Sequence, residues 1–140
     1  MSVTVISADR ADALARAETH APFLRGAAAA FPTIAQAFIE LGSQAAVERA
    51  LALDGGSVGE RLRRRRHALA LSVALADLSG EQPLEWVTAT LSDFADAAMD
   101  EAIREAMLER VPDEEPRGVA ILALGKLGSR ELNYSSDVDL

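Results

Sequence analysis

The chain has 140 residues, 49% of them hydrophobic but only 4% aromatic, with a formal net charge of −8 and no cysteine. That length suits one domain, or one small domain and part of another. The acidic balance argues against broad nucleic-acid binding, which calls for a basic surface, and the lack of cysteine excludes disulfide and thiolate chemistry. No apolar run approaches the roughly 18–20 residues of a membrane span. The segment Met1–Ile6 has neither the basic region nor the long apolar core of a signal peptide, so a cytoplasmic location is expected.

The apolar content is mostly Ala, Leu, Val and Ile, a composition that leans to helix packed on helix. Ser7 is the expected cap of a first helix, with Asp9 and Asp12 near its positive end, and His20-Ala21-Pro22 breaks it. An Ala-rich helix follows, from about Phe23 to Phe31. Pro32 suits the first turn of a third, whose apolar stripe is Ile34, Phe38 and Leu41. Gly42 stops that helix and Ser43 is placed to cap the next, which carries Val47 and Leu51. Asp54-Gly55-Gly56-Ser57 is a turn cluster.

The next helical pattern spans about Val58 to Leu78. Its wide apolar face includes Leu62, Leu69, Leu71, Val73, Leu75, Ala76 and Leu78, which predicts burial on more than one side, as in a bundle. Ser79-Gly80 ends it, and Pro83 opens the longest pattern, from about Leu84 to Glu109. There Val87, Leu91, Phe94, Ala98 and Ala102 mark an inner face, and Trp86 is expected to anchor the helix to the core. Composition shifts at Val111-Pro112-Asp113-Glu114-Glu115-Pro116, which reads as a linker. After it, Val119–Leu124 is short, apolar and β-branched in part, and is read as a buried strand. Lys126 to Leu132 suits a short helix or turn, and Asp137-Val138-Asp139-Leu140 alternates like a strand.

The chemistry sits in the run from Gly125 to Asp139. In a strand, residues two apart face one side, so Asp137 and Asp139 would present two carboxylates together. Such a pair suits Mg²⁺, a hard ion that takes oxygen ligands and keeps phosphate oxygens and waters in its shell. Two such ions can clamp the attacking and leaving oxygens of an in-line displacement at phosphorus. Gly128 allows close backbone approach to a phosphate, and the Ser129 hydroxyl adds a donor. Taken alone, an Asp-x-Asp is a common surface pattern and a Gly-Ser is commonly a turn. The combination of apolar run, Gly-Ser, short spacer and Asp-x-Asp is what points to nucleotidyl transfer.

Gly-Ser followed by Asp-x-Asp resembles the signature of the polymerase-β-like nucleotidyltransferase superfamily. The longer run GKLGSRELNYSSDVDL is more specifically similar to the glutamine synthetase adenylyltransferase/adenylyl-removing enzyme family, and to the N-terminal, adenylyl-removing one of its two nucleotidyltransferase domains. The run RLRRRRHALALSVALADLSG also resembles that family. The close likeness covers about residues 61–80 and 119–140. Ser129 departs from the second glycine common in the family, although the superfamily accepts serine there. Composition and helical patterning, with this resemblance, give the expectation of a mainly α chain. Residues 1–111 would be an N-terminal, bundle-like helical region and 112–117 a linker. Residues 118–140 would form the first strands of an α+β nucleotidyltransferase domain, incomplete because the third carboxylate would follow Leu140.

The resemblance also implies a reaction: inorganic phosphate attacks the adenylyl-tyrosine of glutamine synthetase and releases ADP. A missing half would add AMP from ATP. Asp137 and Asp139 would hold Mg²⁺, and Gly128 and Ser129 would hold phosphate. A PII-type signalling protein and glutamine would act as regulators. The 140-residue piece alone is expected to be catalytically incomplete, with no nucleic-acid or membrane partner. Lys126, the only lysine, is compatible with a phosphate contact or with a solvent-facing place. Asn133 and Tyr134 are expected to pack and brace the turn. The Arg61 and Arg63–Arg66 cluster is expected to face solvent or to pair with acids of the Leu84–Glu109 helix, and Asp93, Asp96 and Asp100 to form a solvated face. Two other readings stay open: a polymerase-β-like enzyme acting on a small molecule or an RNA end, and a helical binding module in which Asp-x-Asp is incidental.

Overall fold

The structure, a computed structural model, describes residues 2–136, with side chains from Asp9 onward. Among the described residues the chain is mainly α, with seven helices and no strand. These are α1 (Ser2–His20), α2 (Pro22–Ala30), α3 (Pro32–Leu41), α4 (Ser43–Leu51), α5 (Val58–Leu78), α6 (Leu84–Arg110) and the single turn α7 (Gly125–Gly128). Among the described residues no helix is long and apolar enough to cross a membrane.

Local chemistry sets most boundaries. Pro22 and Pro32 each sit in the first turn of a helix, where proline's missing N–H costs nothing. Gly42 closes α3 at φ +98°. Ser57 and Glu60 form a reciprocal capping box at the start of α5: the Ser57 N–H donates to Glu60 Oε2 (2.8 Å) and the Glu60 N–H to Ser57 Oγ (3.3 Å). Two expected caps are displaced. Ser7 lies inside α1, because Val3–Ile6 contain no residue that breaks a helix and the helix extends back to Ser2. Gly42, not Ser43, is the cap of α4. Ser43 is buried instead; its N–H donates to Glu81 Oε1 (3.2 Å) and its hydroxyl accepts from Gln82 Nε2 (2.9 Å). A distant loop thus satisfies the helix start that its own serine was expected to serve.

Helix α5 is the hub, packing against α1, α2, α3, α4 and α6. Of its expected wide face, Leu69, Leu71, Val73, Leu75 and Ala76 are fully buried, together with Ile34 and Phe38 of α3 and Val87 of α6, whereas Leu62 is half-buried and Leu78, at the helix end, is exposed. The inner face expected for α6 is realised only in part. Val87 is buried, Leu91, Phe94 and Ala98 are half-buried, and Ala102 is exposed. Trp86 does pack on the core.

The expectation of a buried strand at Val119–Leu124 is corrected. These residues carry no helix or strand, and Val119, Leu122 and Leu124 are 60%, 84% and 83% exposed. A strand exists only where a neighbour completes its ladder, and the described residues supply none. The strand expected at Asp137–Leu140 lies outside the described residues.

Candidate functional site

Residues 125–136 form a compact unit seated on α6. Gly125 starts α7 at φ +57°, and Ser129 caps its end. Beyond it, Arg130 adopts φ +58°, a left-handed conformation uncommon for residues other than glycine. The Arg130 N–H donates to the Leu127 carbonyl (3.0 Å) and the Glu131 N–H to the Lys126 carbonyl (2.7 Å). This is the paired bonding of a Schellman motif, with arginine where glycine is usual. A side chain at Gly128 would place its Cβ 2.6 Å from the Ala123 carbonyl oxygen, so glycine is required there by the approach of the preceding backbone.

Two polar contacts fasten the unit to α6, and two of its apolar side chains are buried. Leu127 and Leu132 are each 6% exposed. The Leu132 N–H donates to Oγ of the fully buried Ser92 (3.2 Å), whose own hydroxyl donates to the Thr88 carbonyl (2.8 Å). The Arg130 guanidinium meets Asp93 at 2.7 Å. Asn133 braces the next turn as expected: its Oδ1 accepts from the Ser135 N–H (3.1 Å) and the Ser136 hydroxyl (2.9 Å), while its N–H donates to Ser136 Oγ (3.0 Å). Tyr134 is 42% exposed. Its phenol is pushed above the usual tyrosine range, first by desolvation and then by the Asp77 carboxylate nearby. An apolar cavity of about 1110 Å³ lies between this turn and helices α1, α2, α5 and α6, with Leu69, Phe94, Leu132 and Tyr134 in its wall and Arg66 and Asp77 among its polar groups.

Of the expected phosphate ligands, Gly128 and Ser129 are exposed. Their N–H groups donate within the turn, to the Leu124 (3.3 Å) and Gly125 (3.0 Å) carbonyls. Ser129 Oγ lies 3.1 Å from the Gly125 carbonyl and 3.0 Å from Glu131 Oε2, so its hydroxyl faces solvent among local acceptors. Asp137 and Asp139 lie outside the described residues. Among the described residues no cluster of three or more His, Cys, Asp or Glu side chains could hold a metal. Lys126 is exposed.

The arginine cluster is largely a structural clamp. Glu101 of α6 accepts from Arg61 Nε (2.7 Å) and Arg65 Nη1 (3.0 Å), which keeps the Arg61 guanidinium charged beyond the ordinary arginine range. Arg65 and Arg64 also hold the loop before α5 through the Leu53 (2.7 Å) and Asp54 (3.0 Å) carbonyls. His67 packs its ring against Phe23 and Phe31. Ser92, Asp93 and Arg130 were not singled out by sequence as one group. Their contacts link positions about 40 residues apart, and no local pattern announces such a pairing.

The profile of a family described as glutamate-ammonia ligase adenylyltransferase matches residues 11–140. Among curated proteins, the chain is similar to the bifunctional glutamine synthetase adenylyltransferase/adenylyl-removing enzymes of three bacteria. Identity is 35% to that of Rhizobium meliloti (strain 1021), over 92% of this chain and 16% of that protein. It is 43% to that of Xanthobacter autotrophicus (strain ATCC BAA-1158 / Py2), over 71% of this chain and 10% of that protein. It is 43% to that of Mycobacterium avium (strain 104), over 67% and 10% respectively. The chain thus spans a small part of these relatives. No solved structure matches it.

Proposed function

Because the chain belongs to the glutamate-ammonia ligase adenylyltransferase family, we propose that it is the N-terminal part of an enzyme that controls glutamine synthetase by nucleotidyl transfer. The observation that carries the reading is the run Val119–Asp139, which combines an apolar approach, Gly-Ser and Asp-x-Asp inside the stretch the family matches. In the proposed adenylyl-removing reaction, an oxygen of inorganic phosphate attacks the phosphorus that joins AMP to a tyrosine. A P–O–P bond forms, the bond from phosphorus to the tyrosine oxygen breaks, and that oxygen takes up a proton. The products are ADP and unmodified glutamine synthetase. The converse addition of AMP from ATP belongs to a further half. A PII-type protein and glutamine would regulate both, and the setting would be cytoplasmic.

In this reading residues 1–111 are the helical region, 112–117 the linker and 118–140 the opening of the nucleotidyltransferase domain, so the piece alone is inactive. Asp137 and Asp139 supply hard oxygen donors two residues apart, a donor set that fits Mg²⁺. When bound, the ion would neutralise charge on the phosphates during transfer. Gly128 leaves room beside the Ala123 carbonyl, and Ser129 turns its exposed hydroxyl from its local acceptors toward a phosphate oxygen. The test is Asp139→Asn in the full-length gene product, with phosphate-dependent release of ADP from adenylylated glutamine synthetase as readout. Release should fall to background; unchanged release removes the metal assignment. If radiolabelled AMP never leaves glutamine synthetase in the unaltered enzyme, the substrate is a different one.

A further inference from the structure

Helix α6 packs closely on α5, while α1 and α2 pack on α5 and on each other. The apolar cavity fills the space left between these two walls. We propose that it is a binding site for one elongated apolar acid, an aliphatic carboxylate whose chain lies along α5 and whose head group meets Arg66. The inference is independent of the functional reading above.

Helix α5 is the floor. Arg66, Leu69, Ala70, Ala74 and Leu78 all line the cavity, and from Arg66 to Leu78 the helix rises about 18 Å. Leu69 is fully buried, and Ala70 and Ala74 are half-buried, so small side chains keep the channel deep along its middle. Phe94 of α6 and Leu24 of α2 form parts of the opposing walls, both half-buried. The volume of about 1110 Å³ is on the scale of pockets that take small molecules, roughly 300–1,000 Å³ and lined mostly by apolar groups with a few polar ones.

The two ends differ. One is stopped by the turn that carries Leu132 and Tyr134, which line the cavity. Asn133 braces that turn by accepting from the Ser135 N–H and the Ser136 hydroxyl. A stopped end gives no passage to a helix laid along the groove, but it suits the blunt apolar end of a single molecule. At the other end Arg66 precedes His67, whose ring packs on Phe23 of α2 with centroids 5.0 Å apart. Phe23, also in the wall, is 54% exposed.

Charge selects the ligand's head group. Arg16, Asp77 and Arg66 line the cavity. Arg16 is held by Asp12 (2.8 Å) and by the Leu78 carbonyl (2.7 Å), and Asp77 lies against the Tyr134 phenol. Arg66 is exposed, and among the described residues it forms no ion pair. A guanidinium matches a carboxylate through paired N–H donors, while burial of the chain against the channel supplies the apolar part of the affinity.

The probes are decanoate and its uncharged counterpart decanol, titrated by calorimetry into the full-length gene product below the concentration at which decanoate forms micelles. Decanoate should bind saturably, one molecule per chain, and more tightly than decanol. Arg66→Gln should weaken decanoate about tenfold, the scale of a hydrogen bond to a charged group, and leave decanol unchanged. Arg66→Lys should recover most of the loss. Arg63→Gln, an exposed arginine of α5 outside this cavity, should match the parent. Ala74→Phe, which fills the channel, should abolish binding of both probes.

Absence of saturable decanoate binding in the parent overturns the proposal. So does an Arg66→Gln variant that weakens acid and alcohol equally, or a folded Ala74→Phe variant that binds as the parent does. If Ala74→Phe does not fold, the comparison of the two probes in Arg66→Gln decides, because Arg66 is exposed and its removal breaks no ion pair among the described residues. Phosphorolysis by the parent, present or absent, bears on the functional reading and leaves this one untouched.

Discussion

At Gly42 the chain passes from α3 to α4 at φ +98°, and a Cβ there would lie 2.5 Å from Arg10 Nη2 and 2.6 Å from Glu81 Oε1. Those atoms belong to a two-pronged ion pair, with Arg10 Nε and Nη2 each 3.1 Å from a Glu81 oxygen, and Glu81 also receives the Ser43 N–H. The same turn therefore joins α1, the α3–α4 corner and the loop before α6. Gly42→Ala should cost about 1–3 kcal/mol, the usual range for a residue held in a disfavoured backbone region, and urea unfolding would measure it. Gly128 poses the opposite problem. Its backbone angle is not the constraint; the Ala123 carbonyl oxygen is, and a main-chain atom cannot swing aside as a side-chain tip can.

Helix α5 illustrates how an element is held at one end by local chemistry and along its length by neighbours. The capping box lowers the Glu60 pKa, chiefly through the hydrogen bond from the Ser57 backbone and then through the Ser57 hydroxyl. A depressed carboxylate contributes stability that is present above its unfolded value and is lost as pH falls through its folded value. Glu60→Gln keeps a side chain that can reach the cap but removes the charge. Its thermal midpoint should therefore lie below the parent's at neutral pH, and the gap should close as acid protonates Glu60 in the parent. A gap that stays constant from neutral to acid pH would remove the capping charge as its cause. Further along α5, Arg61 and Arg65 converge on Glu101. The helix meant by composition to look basic is thus partly neutralised by α6.

Across the whole molecule the core is built around α5, and Phe38 is its largest fully buried side chain. Phe38→Ala removes most of a ring from a packed interior that can only partly collapse. A loss of about 3–5 kcal/mol is expected, seen as a lower denaturant midpoint with an unchanged slope. A loss under about 1 kcal/mol would mean that this region is not close-packed. Away from that core the chain changes character. The second half of α6 has no buried residue, and the stretch from Val111 to Gly125 is exposed apart from Pro116 and Ile121, which are half-buried. Burial returns at Leu127 and Leu132, the latter bonded through its N–H to Ser92 of α6.

The sequence by itself determined the helices and most of their limits. Pro22, Pro32, Gly42, the Asp54–Ser57 turn and Pro83 act on their own backbone, and the apolar spacing of Leu69, Val73 and Ala76 needs only helical geometry to become a buried face. It also carried the family, through a contiguous run of residues from Gly125 to Leu140. What only tertiary structure decided were the partnerships between distant positions. Glu81 serves the helix start expected of Ser43, Glu101 gathers two arginines, and Ser92 and Asp93 seat the segment that precedes the carboxylates. The strand expected at Val119–Leu124 misled for the same reason. Its residues are apolar and partly β-branched, but a strand is a relation between two segments, and hydrogen-bonding partners are a property of the fold rather than of the run that needs them.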